Sequence, residues 1–329
     1  NGTIMDKLIS FSIPLMLSGI LQLMFNAVDI VVVGRFSGSQ ALAAVGSTTA
    51  LINVFTNLFI GISLGANVLA ARYYATGKTK EMSETVHTAI ALALVSGVAM
   101  AVIGVVFARG ALEIMGTPDD VIAKSTLYMR IYFCGMPFFM MYNYGAAILR
   151  AVGDTKRPLI FLIVSGVINA ILNLFLVIGF HLDVAGVGIA TVISQLVSCI
   201  LVLRCLHHTE SSYQLHLAKL RIRSVYLKQI FEVGVPAGIQ STVINISNAM
   251  LQSSVNSFGS IAMAGYTASN NIFGFLYVSV NSFTQACMSF TSQNYGVKKL
   301  KRMDRVLIDC MILSVVVTLI LGSSVYIFG

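Results

Sequence analysis

Charged residues are scarce in this sequence. Asp, Glu, Lys and Arg make up 10% of the 329 residues, whereas hydrophobic residues make up 57%. Soluble globular domains carry about 25% charged residues, so an ordinary soluble protein is excluded. Cysteine is also sparse, and the five Cys residues form no C-x-x-C pair. The spacing therefore favours neither a disulfide framework nor a zinc site.

The sequence offers no catalytic motif in its usual context. It contains no H-E-x-x-H and no G-x-x-x-x-G-K-[ST], the motifs of zinc proteases and nucleotide-binding loops. The match to G-x-S-x-G from Gly61 to Gly65 lies inside an apolar span, whereas serine hydrolases carry this motif at a strand-to-helix turn. A membrane enzyme is therefore disfavoured, and we expect no catalytic residues and no organic cofactor.

The hydrophobic residues are gathered in blocks of about 20, the length that spans a bilayer as a helix. Blocks of this length are not barrel strands, so the predicted class is an all-α polytopic membrane protein. The nine predicted spans are 11–34, 47–70, 87–108, 126–148, 158–180, 184–204, 231–256, 262–290 and 306–328. The chain lacks an initiator Met and stops at the end of a span, so we expect a fragment of a longer protein.

The basic residues fix a predicted orientation. If the N-terminus is cytoplasmic, every Lys and Arg except Arg35, Arg109, Lys124 and Arg130 lies in a cytoplasmic segment. This asymmetry follows the positive-inside rule. The net charge of +8 is then explained by topology and by anionic lipid, so no nucleic-acid partner is expected.

An internal repeat relates the two ends of the chain. Pro14 recurs as Pro236, 222 residues later, and Lys78 recurs as Lys299 at nearly the same offset. Six spans separate the copies, so both enter the membrane in the same direction. Parallel repeats of this kind are a transporter architecture. We therefore expect two six-helix lobes, of which this chain covers about nine of twelve transmembrane helices.

The repeat divides the chain into three predicted parts. Residues 1–206 form an N-terminal lobe with the first six spans. Residues 207–228 form a basic, amphipathic cytoplasmic linker suited to the inner membrane surface. Residues 229–329 form an incomplete C-terminal lobe.

The first span carries a single carboxylate, Asp29, on the helix face that also holds Ser18, Gln22 and Asn26. An acid at membrane depth is costly and marks a functional site by default. It can take up and release a proton, or it can hold a hard cation together with amide oxygens. Pro14 lies earlier in the same span, where it acts either as a hinge or simply as a proline near the helix start.

Amide and tyrosine side chains recur at helical spacing on the other spans. Asn and Gln can also serve as interhelical contacts worth about 1 kcal/mol, so each residue alone has a structural explanation. Arg130, the basic residue inside a span, either snorkels to the outer interface or lines a cavity. We assign to a substrate cleft Gln22, Asn26, Asn53, Asn57, Asn245, Asn248, Gln252, Asn270, Tyr277 and Asn281.

Several stretches together resemble the multidrug and toxic compound extrusion (MATE) family of the bacterial NorM/DinF-like type. They are IPLMLSG and VDIVVVGR in the first span, the loop LRAVGDTKRP, the N-x-x-x-N pair Asn169 and Asn173, and GVGIATVISQ at the sixth span. The resemblance covers the whole chain.

The resemblance implies two six-helix lobes around a V-shaped cleft. It also implies a monomer in the bacterial cytoplasmic membrane, with membrane lipids and small cationic drugs as partners, that exports organic cations against a proton or sodium gradient. By analogy, Asp29, Asn169, Asn173 and Thr191 form the cation site of the first lobe, and Pro14 is the kink of the first helix. Asp29, Asn169 and Asn173 are the candidate Na⁺ ligands, and the choice between H⁺ and Na⁺ stays open.

The alternative function is a flippase for lipid-linked oligosaccharide or a related precursor, within the same superfamily. Such a protein needs a basic cavity for a pyrophosphate headgroup. Only Arg130 is available inside a span, so the antiporter is preferred.

Overall fold

The fold is a bundle of long helices. The computed structural model describes residues 3–256 and 260–328, within which ten α-helices follow one another. A π-helical turn, Phe175–Gly179, extends the sixth helix, and Leu217–Lys219 forms a 3₁₀ turn. The helices are α1 (Ile4–Phe36), α2 (Ser39–Ala75), α3 (Thr79–Ile114), α4 (Asp119–Cys134), α5 (Met136–Ala151), α6 (Lys156–Leu174), α7 (Asp183–His207), α8 (Ser224–Asn256), α9 (Ser260–Gly296) and α10 (Leu300–Phe328).

Six of these helices are long and apolar enough to cross a membrane. They are α1, α2, α3, α6 with its π-helical extension, α7, and α10 as far as Ser324. The all-helical expectation is confirmed for the residues that the structure describes. The expected count of nine spans out of twelve goes beyond these six and stays a prediction.

The span predicted over 126–148 as one helix is two helices, α4 and α5, that meet at Gly135. Pro137 lies in the first turn of α5, and proline has no backbone N–H to continue a preceding helix. A Cβ at Gly135 would overlap the side-chain oxygen of Gln195 on α7. The break therefore lets α4 and α5 pack closely against α7.

α1 begins well before Pro14. Thr3 and Asp6 form a capping box, in which the Thr3 N–H donates to Asp6 Oδ2 over 3.1 Å and the Asp6 N–H donates to Thr3 Oγ1 over 3.2 Å. Pro14 consequently lies inside the helix and not at its start, which leaves the hinge as the interpretation to test. The Ser18 hydroxyl donates to the carbonyl oxygen of Pro14 over 2.8 Å.

The two halves exchange the inner parts of their first helices. Leu8, near the start of α1, is fully buried in a cluster with Ala286 of α9 and Cys310 of α10. Ile230, the repeat equivalent of Leu8, is fully buried in the larger core formed mainly by α2 to α5 and α7. Each half therefore contributes one helix start to the core of the other.

Glycines bring α2 and α8 together at the junction of the halves. Gly61 faces Gly238, and Gly65 faces Gly234, where a Cβ on Gly65 would lie 2.9 Å from the Gly234 backbone nitrogen. Small residues four apart allow helix backbones to approach closely in membranes. We call this contact the α2–α8 seam. It closes the end of the bundle where α2 ends and α8 begins.

The connecting segment, residues 208–223, packs in part against protein. Leu215 is fully buried, and Arg221 and Arg223 bind the two carboxylate oxygens of Glu84 on α3 at 2.6 and 3.1 Å. Leu217 and Ile222 are exposed, and the amphipathic linker on the inner membrane surface stays a prediction. The sequence predicted this linker over residues 207–228. In the structure, α7 ends at His207 and α8 begins at Ser224.

Candidate functional site

The structure brings Asp29 of α1 against the two asparagines of α6. The Asn173 Nδ2 donates to Asp29 Oδ1 and also, over 3.2 Å, to Asn169 Oδ1. Asn173 is fully buried, Asn169 is 6% exposed, and Asp29 is half-buried. One carboxylate and two amides from helices 144 residues apart in sequence therefore share one site.

The site has an unused acceptor. Both hydrogens of the Asn173 amide are donated, but its Oδ1 is buried and has no hydrogen-bond partner among the residues described. A buried acceptor without a donor costs about 1–3 kcal/mol. The arrangement thus presents a carboxylate and an unpaired amide oxygen to a small cation or to a protonated group. Oxygen donors of this kind fit a hard cation such as Na⁺.

A widened helical turn follows this site directly. α6 ends at Leu174, immediately after Asn173, and continues as the π-helical turn Phe175–Gly179. Single π-helical turns inside α-helices are rare and occur frequently at functional sites. The turn shifts the register of the chain beyond Asn173, so the amide pair lies at the last regular turn of α6.

Thr191 and Pro14, the other members of the predicted set, form no hydrogen bond with Asp29 in the part of the chain that the structure describes. The Thr191 hydroxyl donates to the Val187 carbonyl of its own helix over 2.9 Å. Its oxygen retains lone pairs, but α7 does not place it in the hydrogen-bonded group. Pro14 lies roughly 22 Å from Asp29 along α1, at the usual rise per residue.

Two tyrosines of α4 also lie near this site. Tyr128 and Tyr132 are electrostatic neighbours of Asp29, and Tyr128 is only 6% exposed. The two rings lie 6.2 Å apart. Their spacing of four residues, which puts both on one helix face, was the available signal.

The predicted cleft residues lie on α1, α2, α8 and α9, the helices that meet across the two halves. Asn57, Asn245 and Asn281 are half-buried, and the Asn245 amide donates to Ser241 of its own helix over 2.8 Å. The side chain of Gln252 lies outside the described residues. The exposed members are Gln22, Asn26, Asn53, Asn248, Asn270 and Tyr277.

None of these described side chains forms a hydrogen bond across the junction between the two halves. The cleft residues of one half are therefore not bonded to those of the other. Other side chains do form hydrogen bonds across the junction, and one of these bonds is buried. Ser289 of α9 donates to Asn67 of α2 over 3.0 Å, and the Asn67 amide donates to Ala147 of α5 over 2.8 Å.

Comparison with known sequences identifies the family. The sequence model of the MatE family matches residues 14–175 and 236–329. The chain belongs to this family. A relative in Bacillus subtilis (strain 168), "Probable multidrug resistance protein YoeA", is 31% identical over 326 residues, which cover 97% of this chain and 70% of that protein.

Other members of the MATE family are more distant in sequence but share the fold. The "Multidrug export protein MepA" of Staphylococcus haemolyticus (strain JCSC1435) is 22% identical over 99% of this chain and 73% of that protein. A solved structure described as the outward-facing conformation of a multidrug resistance MATE family transporter superposes with a TM-score of 0.93. It is 21% identical and covers 99% of this chain and 73% of that one. Family and apolar helices together make this chain a multi-pass membrane protein.

Proposed function

We propose that this MATE family member is a multidrug efflux antiporter that exports organic cations across the bacterial cytoplasmic membrane in exchange for H⁺ or Na⁺, with its N-terminus in the cytoplasm. The observation that carries the proposal is the contact of Asp29 with Asn173 beside a buried, unpaired amide oxygen. Multidrug resistance in the names of relatives such as YoeA supports the substrate class.

The proposed mechanism follows from the charge of Asp29. The carboxylate is neutralised either by a proton or by a bound Na⁺, and neutralisation changes its attraction to the Asn173 amide. α1 carries Asp29 towards its C-terminal end. Near its N-terminal end, α1 packs on α9 and α10 through Leu8 and Phe11. Movement of α1 at Pro14 would therefore displace Asp29 and alter the junction between the halves together.

The second half contributes a different chemistry. Asp29 aligns in the repeat with Leu251, so the ion site belongs to the first lobe, while Asn248, Asn270 and Tyr277 give an uncharged polar and aromatic surface. Aromatic faces attract organic cations, and amides add adaptable hydrogen bonds. We take the complete protein to have twelve transmembrane helices, nine of them in this chain, as the repeat predicts.

A flippase is not favoured. Arg130, the basic residue that such a cavity could use, is exposed, and its Nε donates to the Val105 carbonyl of α3 over 3.2 Å. The guanidinium is thereby held along α3 and α4, away from the helices that meet across the halves.

The test is dye efflux from cells that express the protein, with and without an uncoupler. Export should stop when the ion gradient is collapsed, and Asp29→Asn should abolish it while the protein still reaches the membrane folded. Asp120→Asn, an exposed acid in the first turn of α4, is the matched control and should export normally. Full export by Asp29→Asn would refute the assignment. Proteoliposomes with a pH gradient alone or a Na⁺ gradient alone then decide which ion is used.

A further inference from the structure

A basic cavity lies at the end of the bundle where α1 begins and α9 meets α10. Its volume is about 200 Å³. Residues from both halves line it, including Lys7 of α1, Ala75 of α2, Gln293 and Asn294 of α9, and Lys299 and Arg302 at the start of α10. We call it the α1–α10 cavity. It is far along α1 from Asp29 and shares no residue with the ion site.

Three cations converge on the α1–α10 cavity without an acid to balance them. Lys7, Lys299 and Arg302 are exposed and form no ion pair within the described parts of the chain. The nearby acid Asp6 is engaged by the Thr3 hydroxyl, which donates to its carboxylate over 2.8 Å. The first turn of α10 adds the partial positive charge and free N–H groups of a helix start.

The repeat shows what such a position can hold. Glu84, at the matching end of α3, corresponds to Arg305 of α10, and Glu81 corresponds to Arg302. Around α3 the acid Glu84 is occupied by Arg221 and Arg223 of the connecting segment. Both acids are thus replaced by cations in the second copy: Glu81 by Arg302, which lines the cavity, and Glu84 by Arg305, which lies outside the lining.

A neighbouring side-chain contact also differs between the two copies of the repeat. Side chains fill the space in the first copy, whereas a cavity remains in the second. Gln229 accepts a hydrogen bond from the Tyr73 hydroxyl over 2.9 Å, and Tyr73 packs edge-on against Tyr226 with ring centroids 6.0 Å apart. The repeat equivalents of Gln229 and Tyr73 are Lys7 and Asn294, and both line the cavity. The paired tyrosines Tyr73 and Tyr226 are replaced by the smaller side chains of Asn294 and Ile4, which is why space remains.

We propose that the α1–α10 cavity binds an anionic phosphate group and that the bound phosphate joins α1 of the first half to α9 and α10 of the second. Two lysines and an arginine are the side chains that recognise phosphate, the arginine through paired N–H donors. The phosphate comes either from the headgroup of an anionic phospholipid in the inner leaflet or from the aqueous phase. Binding does not depend on transport or on Asp29.

The proposal is tested by ligand-dependent thermal stability of the purified protein in neutral detergent. Short-chain phosphatidylglycerol and inorganic phosphate are titrated separately, with short-chain phosphatidylcholine as the zwitterionic comparison. The unfolding temperature should rise with phosphatidylglycerol more than with phosphatidylcholine. Lys299→Gln/Arg302→Gln should weaken the apparent affinity roughly tenfold or more, because two charge-assisted contacts are lost.

The matched control is Lys301→Gln/Arg305→Gln, which removes the same charge from the same turns of α10 outside the cavity lining and should retain the wild-type affinity. Lys7→Gln, on a different helix, should weaken binding as well. If inorganic phosphate also raises the unfolding temperature, the bound phosphate comes from the aqueous phase. If only phosphatidylglycerol raises it, the phosphate belongs to the lipid headgroup. No rise with either ligand, or equal affinity in both double variants, would overturn the proposal.

Discussion

The ring of Phe25 on α1 lies directly over Gly166 on α6. A Cβ at Gly166 would overlap the ring edge. Asp29 follows Phe25 by four residues, and Asn169 and Asn173 follow Gly166 on the same face of α6, so this contact sets the register that brings the acid to the amides. The absence of a side chain at Gly166 therefore positions the ion site.

Gly166→Ala should reduce export because the added methyl group pushes α1 away from α6 and lengthens the contact between Asp29 and Asn173. Dye efflux measured at equal membrane abundance checks this. Adding Phe25→Leu, which removes the ring edge, should restore part of the activity, as a coupled pair in a double-mutant cycle. If the second change restores nothing, the Phe25–Gly166 contact does not set the site. Gly46→Ala, where a Cβ meets no atom within 4 Å, is the control.

Asn173→Ala should weaken coupling-ion binding by roughly tenfold or more, since a hydrogen bond to a charged group is worth about 1.5–3 kcal/mol. The measurement is the ion concentration that half-activates efflux in proteoliposomes. Asn143→Ala is a matched control, because the Asn143 amide bonds only the Phe139 carbonyl of its own helix, over 2.8 Å. Equal effects of the two substitutions would show that amide removal acts through general stability.

Gly65→Ala should destabilise the α2–α8 seam. The added Cβ would meet the Ile230 carbonyl and the Gly234 nitrogen, which are backbone atoms that cannot rotate away. Overpacking of this kind costs about 1–3 kcal/mol. Thermal unfolding of the purified protein should show the loss, whereas Gly46→Ala on the same helix should unfold like the wild type. An unchanged Gly65→Ala variant would mean that the seam is not tight.

Glu84→Gln should loosen the connecting segment. The Arg221 hydrogen bond, together with that of Arg223, lowers the pKa of Glu84 below its usual value. A carboxylate with a lowered pKa in the folded state stabilises the fold above the unfolded pKa of about 4.3, and this contribution is lost as the pH falls through the folded pKa. Pairs with exposed arginines are worth about 1 kcal/mol at most.

The unfolding temperature of Glu84→Gln should accordingly be lower than that of the wild type at pH 7, and the difference should shrink below a pH of about 4. Glu81→Gln serves as the control, because Glu81 is a half-buried acid one turn earlier that forms no ion pair with the described residues. A difference that persists unchanged in acid would contradict an ionic role for Glu84.

The local features of this molecule were largely readable from the sequence. Long apolar blocks predicted helices, and the helical ends followed caps and loops that depend on neighbouring residues. The spacing of Gly61 and Gly65, four residues apart in one span, is typical of close helix contact, and the glycines of α8 meet them there. The break at Gly135 was missed, because a helix period alone does not show whether a Gly followed by Pro137 bends or ends a span.

The contacts between residues far apart in the sequence were not predictable in the same way. The connecting segment is as basic and amphipathic as a membrane-surface segment, and only the position of Glu84 on α3 shows that its arginines bind protein. Thr191 carries the right chemistry in the right span, but its hydroxyl donates to the backbone of its own helix. The face that a helix turns inward depends on its neighbours, as for Tyr128, which is only 6% exposed.

The sequence by itself determined that the chain is helical and membrane-embedded, that its two ends repeat, and that one acid lies on the polar face of the first span. Those properties follow from composition and from periods of a few residues. Only the tertiary structure decided that Asp29 meets Asn173 and that Lys7, Lys299 and Arg302 line one cavity. Contacts between residues more than a hundred positions apart depend on how helices rotate and pack, and that is set by the shapes of all the side chains between them.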